Sequence, residues 1–297
     1  MDRFETLTAF VAVADQHGFA AAARSLGLSP PAITRAVAAL ERHLGVALFY
    51  RSTRAVSLTD EGAAFLDSAR RILADLREAE HIVMGGRSAP RGTLYVTAPV
   101  MFGRLHVLPA IDALLAKHDE LSAHMMLLDR NVRIVEEGID VAVRIGALAD
   151  SALRNVAIGS VQQTIVASPA YLAEHGVPAN PSDLADHRCI VGSGIRIGST
   201  WRFGIKGQTI LDVVPRLTVN TVDATIAAAE AGIGLANVLS YQVAAAIASG
   251  RLARVLVDHA PPAISVSLVY DAARATMPAV RGFIEAMRER ARNGAWA

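Results

Sequence analysis

Cysteine is almost missing from this chain. The single Cys189 rules out an intramolecular disulfide and any cysteine-based metal cage, and it reads as a buried core thiol. Long apolar runs are missing too. The alanine-rich stretches Phe19 to Leu28 and Ala224 to Val238 are broken by Arg24, Glu230 and glycines before reaching the ~18 apolar residues of a membrane span, so no membrane partner is expected. The opening Met1-Asp2-Arg3-Phe4-Glu5 carries acids and no basic segment before an apolar run. It does not read as a signal peptide, which makes the cytoplasm the expected location. Excess charge of one sign is absent as well: the net charge is +1, which by itself neither marks nor excludes a nucleic-acid binder. His106, His118 and His124 are scattered without ligand spacing, so neither a metal nor a cofactor is expected. Ser193 lies between glycines but lacks the strand-turn-helix context of a nucleophile, and no Ser/His/Asp order appears. Gly232-Ile233-Gly234 follows a helical run instead of opening one, so it reads as a helix end leading into a strand and not as a nucleotide loop.

What is present is enough for several folded units. The chain has 297 residues, near the upper limit of a single core at ~250 to 300 residues, and it is 52% hydrophobic and 19% charged. The first 58 residues read as three short helices and a hairpin. Leu7, Phe10, Val11 and Ala14 recur at helical spacing, and Ala20 to Leu26 forms a second helix that stops at Gly27. Ser29 and Pro30 then supply an N-cap and a first helical residue. The inward stripe of this third helix is Ile33, Val37, Leu40 and Leu44. Pro31, Arg35, Ala38 and Arg42 face the other way, with Thr34 at the flank. Leu48 to Arg51 and Ala55 to Leu58 read as two strands around Ser52-Thr53-Arg54, a wing with an arginine at its tip.

After Thr59-Asp60-Glu61 comes a longer helical pattern with Phe65, Ala69, Ile72, Leu76, Ala79 and Val83 in alternating steps of four and three. It suits either a buried intramolecular helix or a dimer seam. The polar Arg70, Arg71, Asp75, Arg77 and Glu78 leave little room for all-round burial, which favours the seam. The pattern stops at Gly85-Gly86, and residues 87–92 read as a hinge. From Thr93 onward strand-like and helical runs alternate: Leu94 to Thr97, Leu105 to Lys117, Ser122 to Leu128, Arg133 to Gly138 and Val141 to Ile145. A second series follows, with Gln163 to Ala167, Pro169 to His175, Cys189 to Val191, Trp201 to Ile205, Asp212 to Val219 and a helix from Val222 to Ala231. Ser265 to Tyr270 and a helix from Pro278 to Arg292 read as a return to the first lobe. The expected division is 1–58, 59–86, 87–92 and 93–297, with one lobe at about 93–163 and 266–297 and the other at about 164–265.

Small residues in Phe19 to Leu26, a tight turn and a cationic third helix suit either an ordinary helical hairpin or a helix-turn-helix, whose second helix can enter a major groove; the residues that follow favour the second. In Ala22-Ala23, Leu26, Ser29-Pro30, Leu40-Glu41, Leu44-Gly45, Leu48-Phe49, Arg51, Arg54, Leu58-Thr59 and Gly62 the chain resembles the LysR-type transcriptional regulators. It departs from that pattern at Gly18, where a serine is usual, and at Pro30, where a glutamine often stands. The resemblance spans the whole chain. It implies an α/β protein overall: a winged helix-turn-helix, a long linker helix, and a two-lobed effector domain shaped like a periplasmic binding protein. It makes Ser29, Pro30, Pro31, Thr34, Arg35, Arg42, Arg51 and Arg54 the DNA-binding candidates, with Arg42 equally readable as a solvated arginine.

The resemblance also implies an effector cleft lined by Thr97, Pro99, Val100, Met101, Asp129, Trp201, Asn220 and Thr221. The strand end at Thr97 to Phe102 offers backbone N–H groups to an anion. Arg144 suits either a ligand carboxylate or an internal acid such as Asp129. The implied partners are double-stranded DNA with an inverted-repeat operator, a small-molecule effector, a second copy in a homodimer or homotetramer, and RNA polymerase. Two other readings stay open: a small-molecule-binding protein or enzyme dimerised by its N-terminal helices, and a redox sensor using an intersubunit Cys189 bond.

Overall fold

The computed structural model describes residues 2–51, 56–83, 89–130, 132–146, 153–192 and 198–296. The chain divides into two compact units, Met1–Ser88 and Ala89–Ala297. Arg54, Ser193 and residues 84–88 of the expected linker lie outside the described residues, as do the side chains of Arg51, Ala79 and Val83.

The first unit runs α1 (Arg3–Asp15), α2 (Phe19–Leu26), α3 (Pro30–Leu44), β1 (Phe49–Arg51), β2 (Val56–Leu58) and α4 (Asp60–Val83). Each boundary has a chemical cause. Glu5 takes the Asp2 N–H at 3.1 Å as α1 begins. Gly27 and Gly45 close α2 and α3 in the left-handed conformation, at φ 66° and 75°. Phe10, Ala22, Ala23, Ile33, Val37 and Leu48 form the centre of the core, and the Phe10 ring lies 5.4 Å from Phe49 and 5.6 Å from Phe65.

Two expectations for this unit need correction. Leu44, placed on the inward stripe of α3, is 38% exposed, because the last turn runs beyond the core cluster and Ala36 completes the buried face instead. Along α4, Ala69 is fully buried in the unit's own core, Leu73 follows it one turn later, and Phe65 packs against them. Ala69 is therefore an intramolecular contact, and Phe65 packs partly within its own unit. An apolar step of four residues has the same signature whether it faces its own domain or a second copy. Ile72, at 42% exposure, faces outward and Leu76 is half-buried.

The corner before the wing is tightly bound. Glu41 Oε1 accepts from the N–H groups of Leu48 and Phe49 at 2.9 and 3.3 Å. The Thr59 N–H donates to the Leu48 carbonyl at 3.0 Å, and its hydroxyl donates to the Ala47 carbonyl at 2.8 Å while accepting from Gly62 N–H at 2.9 Å.

The second unit holds two five-stranded sheets. The chain runs from β3 (Gly92–Ala98) through α5 (Val100–Phe102), a π-helical turn (Gly103–Val107) and α6 (Leu108–Leu115) to β4 (Leu121–Leu127), β5 (Val141–Ile145) and β6 (Arg154–Val161). It then crosses to the second lobe at Gln162. There β7 (Gln163–Ala167), α7 (Pro169–His175), β8 (Cys189–Gly192), the antiparallel hairpin β9 (Thr200–Phe203) and β10 (Thr209–Asp212), β11 (Pro215–Val219), α8 (Val222–Glu230), β12 (Leu235–Leu239), α9 (Ser240–Ala248) and β13 (Ala253–Val255) follow. The chain returns through Pro261-Pro262 to β14 (Ile264–Tyr270) and α10 (Pro278–Arg292). The first sheet is ordered β4-β3-β5-β14-β6 and the second β11-β8-β12-β7-β13. In both, three parallel strands are extended by two antiparallel pairings, so that one strand of the five, β14 or β7, runs against the rest.

Several local expectations differ here. Arg133 to Gly138 forms turns and not a helix, and Gly138 takes φ 62°. The expected single run Asp212 to Val219 is two strands, because β10 pairs antiparallel with β9 in a hairpin of its own while β11 pairs parallel with β8 in the five-stranded sheet. The sequence reading did not find β6, whose mostly exposed residues lack alternation, or α9. Between the strands, buried Asp140 accepts from Arg274 Nη1 at 2.6 Å and from Tyr95 N–H at 2.8 Å.

His106 is enclosed by the rings of Phe102, Tyr241 and Trp296, and neither ring nitrogen has a partner among the described residues. Burial, with Arg290 nearby, holds its pKa down to about 4 from 6.5.

Two outcomes follow from these contacts. A Cβ on Gly62 would stand 2.1 Å from the Leu48 carbonyl oxygen, so Gly62→Ala is expected to destabilise the N-terminal unit by about 1 to 3 kcal/mol, read as a lowered denaturation midpoint. For His106, the unfolded chain takes up a proton below pH 6.5 that the folded chain refuses until about pH 4. The stabilisation is complete above pH 6.5 and declines as pH falls, by about 3 kcal/mol at most by pH 4. His106→Leu should therefore flatten the fall in melting temperature between pH 7 and 4.5; an unchanged slope would exclude His106 as its source.

Candidate nucleic-acid interface and effector cleft

On α3, Pro31, Thr34, Arg35 and Arg42 are all exposed on the face opposite Ile33, Val37 and Leu40. Arg35 and Arg42 are two turns apart, about 10 Å along the axis, and so share a side. Neither has a hydrogen-bond or ion-pair partner among the described residues. The neighbouring acid, Glu41, is turned inward to hold the Leu48 corner. Thr34 donates its hydroxyl to the Pro30 carbonyl at 3.0 Å. Ser29 stands at the N-cap with φ −77° and ψ 148°, but its hydroxyl makes no cap bond.

The start of α3 is also poor in backbone donors. Pro30 and Pro31 have no N–H, and the N–H groups of Ala32 and Ile33 already donate to the Ser29 carbonyl. The first turn of α3 therefore presents side chains and not backbone N–H groups to an acceptor. Tyr50, 62% exposed on β1 beside buried Phe49, was not among the sequence candidates; strand alternation at Phe49-Tyr50 was the signal for it.

In the second unit a cavity of about 760 Å³ lies between the two sheets. Thr97, Pro99, Met101, Asp129 and Arg144 line it, as the sequence reading expected. Val100, Trp201, Asn220 and Thr221 do not. Trp201 is 1% exposed, sits in the core of the second lobe and donates its indole N–H to the Gly198 carbonyl at 3.1 Å. Alternation along β9 turns Trp201 and Phe203 inward and gives the cleft to Arg202. The Thr221 hydroxyl accepts from Ala224 N–H and caps α8, so Val222 reaches the cleft instead. Val100 points its N–H at Asp129 Oδ1, 3.1 Å away, so the expected anion position at this strand end is already used by an internal carboxylate.

Arg144 Nη2 donates to the Val132 carbonyl at 2.8 Å. Arg130 stands 3.8 Å from Glu137. Arg202 and Lys206, from β9 and the turn after it, bring two further cations whose side chains have no partner among the described residues. The cleft thus holds four cations against Asp129. Tyr241 and Gln242 complete the polar wall, with Gln242 Nε2 donating to Tyr241 Oη at 3.2 Å. Burial raises the Tyr241 pKa, so it stays a neutral hydroxyl. The sequence reading missed Arg130, Arg202, Lys206, Tyr241 and Gln242; only the juxtaposition of segments far apart in the chain identifies them.

The lobes are joined at a compact crossing. Gln162 accepts from Ser240 N–H at 2.7 Å, donates its own N–H to Ser240 Oγ at 3.2 Å, and donates its side-chain amide to the Pro261 carbonyl. Gly232, at φ 78°, closes α8, and a Cβ on Gly234 would meet the Arg188 carbonyl at 2.2 Å, so both glycines serve the turn into β12. Among the described residues no group of three or more His, Cys, Asp or Glu side chains could hold a metal, and no helix is long and apolar enough to cross a membrane. Cys189 is buried, which pushes its thiol pKa up to about 11.

The comparisons with known proteins agree with this geometry. The family described as bacterial regulatory helix-turn-helix protein, lysR family, matches residues 4–63, and the LysR substrate binding domain matches residues 87–292. The chain is 35% identical over 286 residues to the HTH-type transcriptional regulator PtxR of Pseudomonas aeruginosa, covering 95% of this chain and 91% of that protein. It is 33% identical over 285 residues to the HTH-type transcriptional regulator DmlR of Escherichia coli, covering 95% and 92%. The solved structure of CrgA, a LysR-type transcriptional regulator from Neisseria meningitidis, matches with a TM-score of 0.63 at 28% identity, over 97% of this chain and 98% of that one. With its helix-turn-helix unit and its two-lobed effector domain, the chain belongs to the LysR family of DNA-binding transcriptional regulators.

Proposed function

We propose that the exposed side of α3, with Arg35 and Arg42 as its two unpaired cations, reads an inverted-repeat operator, and that a small anionic effector in the interlobe cleft sets the response. Ser29, Pro31 and Thr34 complete the groove-facing side of α3. Arg51 and Arg54, the arginines that the sequence reading assigned to the wing, are further candidates for phosphate contacts. The observation that carries the DNA reading is the inward turn of Glu41 towards the Leu48 corner, which leaves Arg35 and Arg42 without an acidic partner among the described residues. Two copies meet through the outward side of α4, where Ile72 and Leu76 are available and Ala69 is not. Two-fold pairing matches a palindromic site, and two such dimers make a homotetramer.

The effector reading rests on Arg202 and Lys206. They stand across a cavity from Arg144, and a small carboxylate between the lobes would satisfy cations from both, favouring the closed state. Closure then changes the DNA geometry that the assembly imposes, and with it access of RNA polymerase. The protein acts in the cytoplasm and does not catalyse a reaction; its relatives, named as transcriptional regulators, support that reading.

Arg35→Ala is expected to weaken operator binding by about 1 to 3 kcal/mol while leaving random duplex nearly unaffected, and Arg42→Ala to weaken both and lower the salt slope by about 1. Fluorescence anisotropy at two salt concentrations measures both, and full operator affinity in Arg35→Ala would remove that residue from the interface. For the cleft, small carboxylates and their neutral amides can be compared by thermal shift. Carboxylates should raise the melting temperature, and Lys206→Ala should weaken the best of them by about tenfold, roughly 1.4 kcal/mol. Equal responses to acid and amide would refute the anionic reading.

A further inference from the structure

Alternate residues of a strand share a side, so Asn237 lies on the same face of β12 as Leu235. Its neighbour across the ladder is Ile165 of β7, and the next is Val255 of β13. Leu235, Ile165 and Val255 belong to an apolar cluster with Phe203 and Leu256, and Asn237 breaks that row. It is 7% exposed, and its Oδ1 has no hydrogen-bond partner among the described residues. A cavity of about 80 Å³ lies against it, walled by Ile165, Phe203, Val255 and Leu256. Leu256 is held in the left-handed region at φ 54° and ψ 34°, which a non-glycine residue seldom adopts and which recurs where ligands bind. Gln163, Arg202 and Pro261 border both this cavity and the interlobe cleft, so the two adjoin, while Asn237 lines the small cavity and not the cleft.

A buried amide oxygen with no donor among the described residues is costlier than an apolar side chain of the same shape, so it is an acceptor open to a donor on a molecule that enters. The walls decide its kind. They are apolar, which suits an alkyl body. Arg202 and Arg254 line the mouth and are exposed, so an ammonium would meet two like charges there. The donor is therefore a neutral hydroxyl. The volume is about half of the ~150 Å³ that takes up a benzene, which suits roughly three or four non-hydrogen atoms. We propose that this cavity is a second ligand site, separate from the interlobe cleft, for a short neutral alcohol whose hydroxyl donates to Asn237 Oδ1 while its alkyl chain lies against Ile165, Phe203 and Leu256. The proposal stands whether or not the larger cleft takes an anion.

The probe is 1-propanol, added to the full-length protein and followed by saturation-transfer NMR, with propylamine as the charged counterpart. Saturable binding in roughly the millimolar range is expected for a ligand of this size. Propylamine should not compete, and Asn237→Leu should weaken the alcohol by about tenfold or more with no loss of melting temperature. Equal binding to the wild type and Asn237→Leu, or none to either, overturns the proposal. Should Asn237→Leu not fold, crystals of the unaltered protein soaked in 2-bromoethanol decide the matter. A bromine anomalous peak between Phe203 and Leu256 supports the site, and an ordered water alone on Asn237 Oδ1 under the same soak refutes it.

Discussion

Both backbone polar groups of Leu48 are bound, its N–H by Glu41 from the recognition helix and its carbonyl by Thr59 at the start of α4, and its side chain is fully enclosed. This corner joins three elements. Glu41 fixes where β1 leaves α3, Thr59 fixes where β2 gives way to α4, and Gly62 lets the first turn of α4 lie directly on the Leu48 carbonyl. A buried backbone pair has to be satisfied inside the protein, and here the satisfying groups also set the angles between helix, wing and linker. The electrostatics of the outer surface follow from the same contacts, because the carboxylate used at the corner is withdrawn from the face that carries Arg35 and Arg42.

The effector domain depends on a comparable economy of connections. Two sheets of like topology are joined by two short crossings, and Gln162 ties one crossing to the other through Pro261 and to the second lobe through Ser240. Few groups therefore hold the junction between the lobes. The cations converge from both sides of the crossing, Arg144 from the first sheet and Arg202 and Lys206 from the hairpin of the second lobe. A concave space with a few polar groups on an otherwise apolar wall is what a small-molecule site requires.

Buried polar groups in this domain divide into two kinds. Asp140 is enclosed but engaged by Arg274 and by the Tyr95 backbone, so it ties the loop after β14 to β3. The His106 ring nitrogens and Asn237 Oδ1 are enclosed with no hydrogen-bond partner among the described residues. His106 meets burial by staying neutral within an aromatic shell, an option open to a titratable ring but not to an amide. Asn237 cannot change its state, so its unpaired oxygen points to a molecule from outside.

Much of this architecture was legible in the residues alone. Gly27-Leu28-Ser29-Pro30 dictates a helix stop followed by a helix start through glycine's freedom and proline's fixed φ. The 3.6-residue stripes gave α3, and α10 was read residue for residue from Pro278 to Arg292, because these are local properties of the chain. Burial partners are not local. Whether Ala69 faces its own domain or a second copy, whether Trp201 or Arg202 reaches the cleft, and whether Val100 N–H meets a ligand or Asp129 depended on segments tens of residues away. Chain order determined the helices, the turn chemistry and the family pattern. Only tertiary packing decided which charges are left without partners, because that depends on which distant side chains arrive to neutralise them.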